Sequence, residues 1–238
     1  MDQMLCPICS SPCKVFSESR RCTACGVVRT NYDYDSSIYN SGYAECYVEY
    51  QKTPVNVPLS LFRLGLVSRW LKERDYILDI GCGIAEFIRF AEPYYVCYGF
   101  EPNKIAVNIT KKRVNSKVYE FLNGSIPRVN LITMFDVLEH IEDPEEFLVL
   151  LSGAYLRDKG VIVVTTPNVD AIPLCDEDGL HRWKHYKPHE HLFLHTEESL
   201  EIMFKRRGFE CVHVGKEESD IRPGNPNGDI LTFVARKV

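Results

Sequence analysis

The stretch Ile77-Leu-Asp-Ile-Gly-Cys-Gly-Ile-Ala-Glu86 decides how the rest of the chain reads. Apolar residues around Asp79 predict a buried strand, and the glycines after it predict a tight turn into a helix. Lacking Cβ atoms, Gly81 and Gly83 let the backbone approach a ligand where a side chain would collide. About 20 residues on, Gly99-Phe-Glu-Pro-Asn103 ends a second strand with an acidic residue. A carboxylate there suits a grip on the hydroxyls of a ribose. Asp79 is placed to meet the ammonium end of a bound amino acid.

Working outward, short apolar runs alternate with amphipathic stretches. Strands are predicted at 76–80, 96–100, 118–122, 131–135 and 161–165, with helices at 86–94, 103–114 and 144–156 between them. Strands alternating with helices imply βαβ crossovers and a parallel sheet covered on both faces. A last unit pairs a helix at 197–207, acidic at its start and basic at its end, with strands at 209–214 and 230–235. Ahead of the sheet, Leu61, Leu64, Val67, Trp70 and Leu71 mark a helix over 60–72. Tyr39, Tyr43, Tyr47 and Tyr50 fall on one helical face, which reads as a packing stripe or as an aromatic cover over a cofactor pocket.

The first 25 residues hold five of the ten cysteines. Cys6-Pro-Ile-Cys9 and Cys22-Thr-Ala-Cys25 each place two thiolates on one side of a tight turn, and two such turns complete a tetrahedral zinc site. Cys13 is an alternate ligand, but the paired spacing favours the other four. Four thiolates leave no position for a substrate, so the zinc is expected to staple a segment too short to fold on its own core. The expected organisation is a zinc ribbon over 1–30, a Tyr-rich linker or helix over 31–58 and the α/β domain over 59–238. The composition is 45% apolar and 26% charged, and no apolar run reaches a membrane span. The N-terminus lacks secretory features, which predicts a cytoplasmic protein. A net charge of −5 with no dense basic block weighs against a nucleic-acid substrate.

An acid-headed glycine turn without a full GxGxxG favours S-adenosylmethionine over a nicotinamide dinucleotide. Together with the segments LDIGCG (78–83), GFEPN (99–103), ITMFDVLEHIEDPEEFL (132–148), VVTTPN (163–168) and HLFLHTEESLEIMFKRRGFE (191–210), it resembles the class I S-adenosylmethionine-dependent methyltransferases over residues 60–238. The likeness is greatest to the group holding ubiquinone-biosynthesis and sugar methyltransferases. The resemblance implies a Rossmann-like seven-stranded sheet with its last strand antiparallel. It implies that Asp79, Gly81 and Gly83 line the methionine part of the cofactor and that Glu101, with Asn103 beside it, holds the ribose. Asn123, Gly124 and Ser125 would lie near the adenine, and Phe135 and Asp136 would flank the sulfonium. Two positions depart from the family pattern: Ala85 replaces the third glycine of the turn, and no acidic residue precedes the adenine segment.

The segment 170–195 is polar and histidine-rich and follows the fifth strand, where a substrate-covering loop belongs. His189 and His191, with Tyr186 as a hydroxyl partner and His140 nearby, are the candidate catalytic residues for proton removal from the acceptor. If the stretch from Asp136 starts a helix, Asp136, Glu139 and His140 share one side and, with His191, can hold magnesium or manganese. That pattern resembles the metal site of small-RNA 3′-end 2′-O-methyltransferases. Metal-free relatives carry the same Glu-His pair, and the metal-free reading is preferred. The expected function is methylation of an oxygen or nitrogen on a small-molecule or sugar-type acceptor. Alternatives are an RNA or nucleotide methyltransferase that reads substrate with the ribbon, and a catalytically silent binding protein.

Overall fold

Strands of three or four residues have too few partners to persist alone, so the N-terminal segment of this computed structural model depends on what it is joined to. The described residues are 4–16, 18–33, 35, 41–172, 177–222 and 228–238, with side chains at all of these except 41, 43, 44, 47, 51, 177 and 178. Strands β1 (Cys13–Val15), β2 (Ser19–Cys22) and β3 (Val28–Thr30) form an antiparallel meander. Helix α1 (Ser41–Gln51) follows. It carries most of the expected tyrosine stripe, of which Tyr39 lies outside the described residues and Tyr50 is exposed.

Helix α2 (Asn56–Val67) begins earlier than its apolar pattern suggests and ends before Lys72. Pro58 falls in its first turn, where a missing N–H costs no helical hydrogen bond. The main sheet then begins with β4 (Tyr76–Ile80), helix α3 (Glu86–Ala91), β5 (Val96–Phe100), helix α4 (Lys104–Thr110) and β6 (Lys117–Tyr119). It continues through β7 (Val129–Phe135), helix α5 (Pro144–Leu150), a π-helical turn at Leu151–Tyr155 and β8 (Leu156–Pro167). Helix α6 (Glu177–His181) and strand β9 (Phe193–Leu194) lie in the histidine-rich segment. Helix α7 (Glu197–Arg206), β10 (Phe209–Gly215), helix α8 (Glu218–Ile221) and β11 (Ile230–Lys237) complete the chain.

The seven-stranded sheet has the order β10-β11-β8-β7-β4-β5-β6. Strand β11 runs antiparallel to both neighbours, and the pairs among β8, β7, β4, β5 and β6 are parallel. Alternation along the strands sends Leu78, Ile132, Ile162 and Phe233 into one core, and Ile77, Leu131, Val163 and Val234 into another. Strand order reverses at β4: the chain runs outward through β5 and β6 and then returns to β7 on the other side of β4, and in such sheets ligands lie beyond the carboxyl ends of the strands at this point. Helix starts are fixed by capping: Asn103 accepts from the N–H groups of Ile105 and Ala106, Asp143 from Glu146, and Thr196 forms a capping box with Ser199.

The first core does not stop at the sheet. It also takes in Cys6, Ile8, Cys22, Cys25 and Val27 of the N-terminal meander. Strand β9 is the fourth strand of that small sheet, paired to β3 with Val28 opposite Leu194 and Arg29 opposite Phe193. Among the described residues, no helix is long and apolar enough to cross a membrane.

On the opposite face, an ionic cluster ties α2 to α8. Arg63 donates to Glu218 at 2.8 Å and to Asp136 at 3.3 Å, and Arg222 donates to Asp136 at 2.7 Å and also to Glu218. The Glu218 side chain is fully buried. Removing one member of such a cluster strands its partners away from water. Glu218→Ala is therefore expected to lower stability by about 3–5 kcal/mol. Chemical denaturation measures it, and a loss below about 1 kcal/mol would mean that Asp136 and water already compensate the arginines.

Candidate active site

The turn after β4 needs backbone that L residues rarely adopt. Gly81 and Gly83 have φ of 68° and 55°, and Ala85 has 62°. A Cβ built on Gly81 would stand 2.5 Å from Cγ2 of Val137. Ala85 takes the left-handed conformation that favours glycine, and it is fully buried. Across the turn, the buried Glu101 carboxylate accepts the Gly83 N–H at 2.8 Å on one oxygen and the Asn103 N–H at 2.9 Å on the other. A carboxylate offers about four lone-pair sites, so this one is oriented with acceptor capacity left over. Burial raises its pKa, against the pull of those two N–H groups.

Asp79 is also buried, and the Thr133 hydroxyl donates to it at 2.6 Å. Burial pushes its carboxyl up to about 7. Asn123, Gly124 and Ser125 lie exposed on the loop between β6 and β7, where the Ser125 N–H donates to Asn123 at 2.9 Å. Phe135 ends β7 with the Arg63 guanidinium 4.1 Å over its ring.

Asp136 departs from the expected helix. It has a φ of 57°, and a 3-10 turn at Leu138–His140 follows it. Its carboxylate goes to Arg63 and Arg222, and against its partial burial those two guanidiniums hold it at about 2. It therefore does not join the metal-ligand group expected from the spacing. Glu139, His140 and His191 do come together, with ligand atoms all within 4.8 Å of one another. The two imidazoles lie edge to face at 4.8 Å. Each Nδ1 faces a backbone carbonyl, that of Glu190 for His140 and of His185 for His191, both at 2.8 Å. A carbonyl only accepts, so each Nδ1 carries the proton and each Nε2 is the acceptor. That is the arrangement found around metal-binding histidines. Burial lowers both histidines, His191 to about 3, so both rings are neutral. Glu139 is buried and takes the Thr166 hydroxyl at 3.1 Å.

The other two candidates in this segment sit apart from that group. His189 is exposed, with its ring 4.0 Å from that of Tyr32 in the linker after β3. Tyr186 packs into a small core with Val28, Trp183 and Leu194.

The four paired cysteines also converge, with all sulfurs within 4.8 Å of one another, and Cys13 is not among them. The Cys6–Cys25 and Cys9–Cys22 sulfurs are 3.7 and 3.3 Å apart. A tetrahedron with zinc–sulfur bonds of about 2.3 Å has edges of about 3.8 Å. N–H groups of Ile8, Ala24 and Cys25 point at the sulfurs of Cys6 and Cys22, which favours thiolates there. The donor set and its spacing fit zinc.

Residues 59–214 match the methyltransferase-domain family. The chain belongs to that family. A relative in Methanocaldococcus jannaschii, the uncharacterized protein MJ1252, is 27% identical over 124 residues, half of this chain and 48% of its own length. The chain thus spans about half of the relative it matches. Among solved structures, the plantazolicin methyltransferase BpumL, in complex with a triazolic desmethylPZN analog and SAH, aligns with a TM-score of 0.60 at 17% identity, over 85% of this chain and 93% of that one. A S-adenosylmethionine-dependent methyltransferase from Clostridium acetobutylicum aligns at 0.59 and 14% identity, over 84% and 99%. The [4+2]-cyclase SpnF aligns at 0.54 and 17%, over 73% and 79%. At such identities these likenesses establish a shared fold, and the cyclase illustrates that one fold hosts different reactions.

Sequence reasoning about this methyltransferase domain missed Thr133, Thr166, Arg63 and Arg222. The two threonines sit within apolar strand runs where nothing marks them as polar anchors. The two arginines reach Asp136 from positions far away in the chain, Arg63 from α2 and Arg222 from just after α8. Val137 was missed as well, and it is the side chain that forbids a methyl on Gly81. Gly81→Ala is expected to destabilise the protein by about 2–4 kcal/mol, from left-handed strain plus overpacking. Adding Val137→Ala should recover the overpacking part only. Urea unfolding of both variants checks this, and an unaltered midpoint for Gly81→Ala would contradict the turn geometry.

Proposed function

We propose that this methyltransferase domain binds S-adenosylmethionine in the crevice beyond β4, β5 and β7 and methylates an oxygen or nitrogen of a small-molecule or sugar-type acceptor. The observation that carries the reading is the Glu101 carboxylate, fixed by two backbone N–H groups beside the Gly81–Gly83 turn. In this reading Glu101 holds the ribose hydroxyls, with Asn103 at the same strand tip. Asp79 meets the ammonium group, and Gly81 and Gly83 give the methionine part room. Asn123, Gly124 and Ser125 border the adenine, and Phe135 and Asp136 border the methyl-bearing end. The sulfonium supplies an electrophilic methyl group, so the protein must align an acceptor and take up its proton. Neutral His140 and His191, each with Nε2 as acceptor, serve as proton acceptors, while His189 and Tyr186 border the acceptor's approach. The small-molecule class is in keeping with BpumL, crystallised with an azole analogue and SAH.

A second reading of the same group rests on its convergence. Glu139, His140 and His191 would hold one divalent cation, and two imidazoles with one carboxylate favour manganese over the oxygen-seeking magnesium. Such an ion would lower the pKa of an acceptor hydroxyl. Asp136 has no part in it. We also assign residues 1–30 as a ribbon stapled by one zinc, residues 31–58 as a linker, and residues 59–238 as the transferase domain.

Calorimetric titration with S-adenosylhomocysteine tests the cofactor reading. Glu101→Ala should weaken binding by about 1–3 kcal/mol, and unchanged affinity would remove the ribose contact. A neutral Asp79 cannot pair with an ammonium, and its carboxyl ionises around 7. Affinity should therefore climb as pH rises through that value and level off above it, whereas Asp79→Asn should flatten the profile. A flat profile in the unaltered protein would sink the Asp79 assignment. Metal analysis should find about one zinc per chain. After added manganese, a second ion lost in His191→Ala would select the metal-assisted reading, and no second ion the metal-free one.

A further inference from the structure

The histidine-bearing segment 189–196 is fastened to the cysteine ribbon as well as to the main domain. One residue separates His191 from strand β9, which among the described residues pairs with β3 of the ribbon, antiparallel. The Thr30 N–H donates to the Leu192 carbonyl at 3.0 Å, and the Leu192 N–H donates to the Glu139 carbonyl at 2.8 Å. One unbroken line of backbone hydrogen bonds thus runs from the ribbon, through the residue beside His191, to Glu139. Below it, the Thr196 hydroxyl donates to the Cys25 carbonyl at 2.5 Å. Arg206 of α7 donates to the Ile8 carbonyl. Above it, the Arg29 guanidinium lies 5.1 Å over the Phe193 ring, and Tyr32 packs on His189. On the side of the main domain, the segment is held by the parallel bridge between Asn168 and His195, by the Val169 N–H donating to the His195 carbonyl at 3.1 Å, and by the burial of Leu192 and Phe193 in the first core.

Strand pairing over two residues has little stability of its own. It lasts only as long as β3 is held in place, and β3 belongs to a meander whose four paired cysteines converge where Ile8 and Val27 meet the first core. The cofactor cradle is built differently, from β4, β5 and the turn between β4 and α3 inside the main sheet, with no residue of the ribbon in it.

We infer that the zinc-loaded ribbon is a positioning element for the reaction site: through Thr30, Arg29 and the Cys25 carbonyl it holds residues 189–196 so that His191 stays beside Glu139 and His140. Loss of the metal releases His191 and leaves the cofactor cradle formed. The inference rests on the proposed reading of these three residues as the reaction site, but its readouts do not depend on turnover.

The test uses the full chain, zinc-loaded and after removal of zinc by chelation. Amide hydrogen exchange should accelerate at Leu192 and Phe193 by at least about tenfold on zinc loss. Exchange at the β4 and β5 amides and affinity for S-adenosylhomocysteine should hold within about twofold. Long-range proton–nitrogen spectra should show the Nδ1–H tautomer of His191 in the loaded protein, its loss without zinc and its return when zinc is added back. Thr30→Pro removes the one N–H that reaches Leu192, and zinc binding should survive it. This variant should show the same faster exchange at Leu192 and the same tautomer change. Unchanged exchange and tautomer in both the zinc-free protein and Thr30→Pro would overturn the inference, as would purification of the folded protein without zinc. Failure of the transferase reading would show itself separately, as absent cofactor binding with the exchange response intact.

Discussion

Two backbone N–H groups on one buried carboxylate fix the geometry on which the ligand crevice depends. Gly83 stands on the turn after β4 and Asn103 at the start of α4, and Glu101 binds both. Taking a carboxylate out of water is costly, and charge-assisted hydrogen bonds to the backbone offset that cost. In return, two strand tips far apart along the chain are locked at one spacing. The left-handed turn at Gly81, Gly83 and Ala85 brings the N–H of Gly83 within reach. Without that turn Glu101 would be a desolvated acid left with the Asn103 N–H alone.

Much of the sheet was legible because apolar periodicity and strand burial are the same physical fact. The spans at β4 and β5 coincide with the expectation, and β7 and β8 only run longer, where a neighbouring strand continues to offer partners. Helices α3 and α4 end sooner than their patterns suggest, because amphipathic spacing continues into turns that still bury a side chain but no longer close a helical hydrogen bond. The expected helix over 144–156 gives way to a π-helical turn before Leu156.

The site was legible in part, and the misses share a cause. Asp79, Gly81, Gly83 and Glu101 lie where two short motifs meet, and local sequence carries both. Asp136 looked like a partner of Glu139 and His140 because helical spacing would align them. Its left-handed backbone and two remote arginines instead draw it elsewhere. Strand β9 was invisible, since nothing in a Phe-Leu pair says strand until β3 is beside it. The pairing of two neutral histidines with Glu139 likewise depends on the carbonyls of residues 185 and 190, which sequence patterns do not describe.

The sharing of one small sheet between the start of the chain and a segment near its end limits how this sequence can drift. Val28 and Leu194 face each other in register, and Gly26 has its Cα so near Thr196 that a Cβ there would meet that side chain at 3.0 Å. An altered side chain on either segment must be answered on the other, although most of the protein separates them along the chain. Shuffling the ribbon onto another transferase would bring half of this interface and leave the complementary half behind.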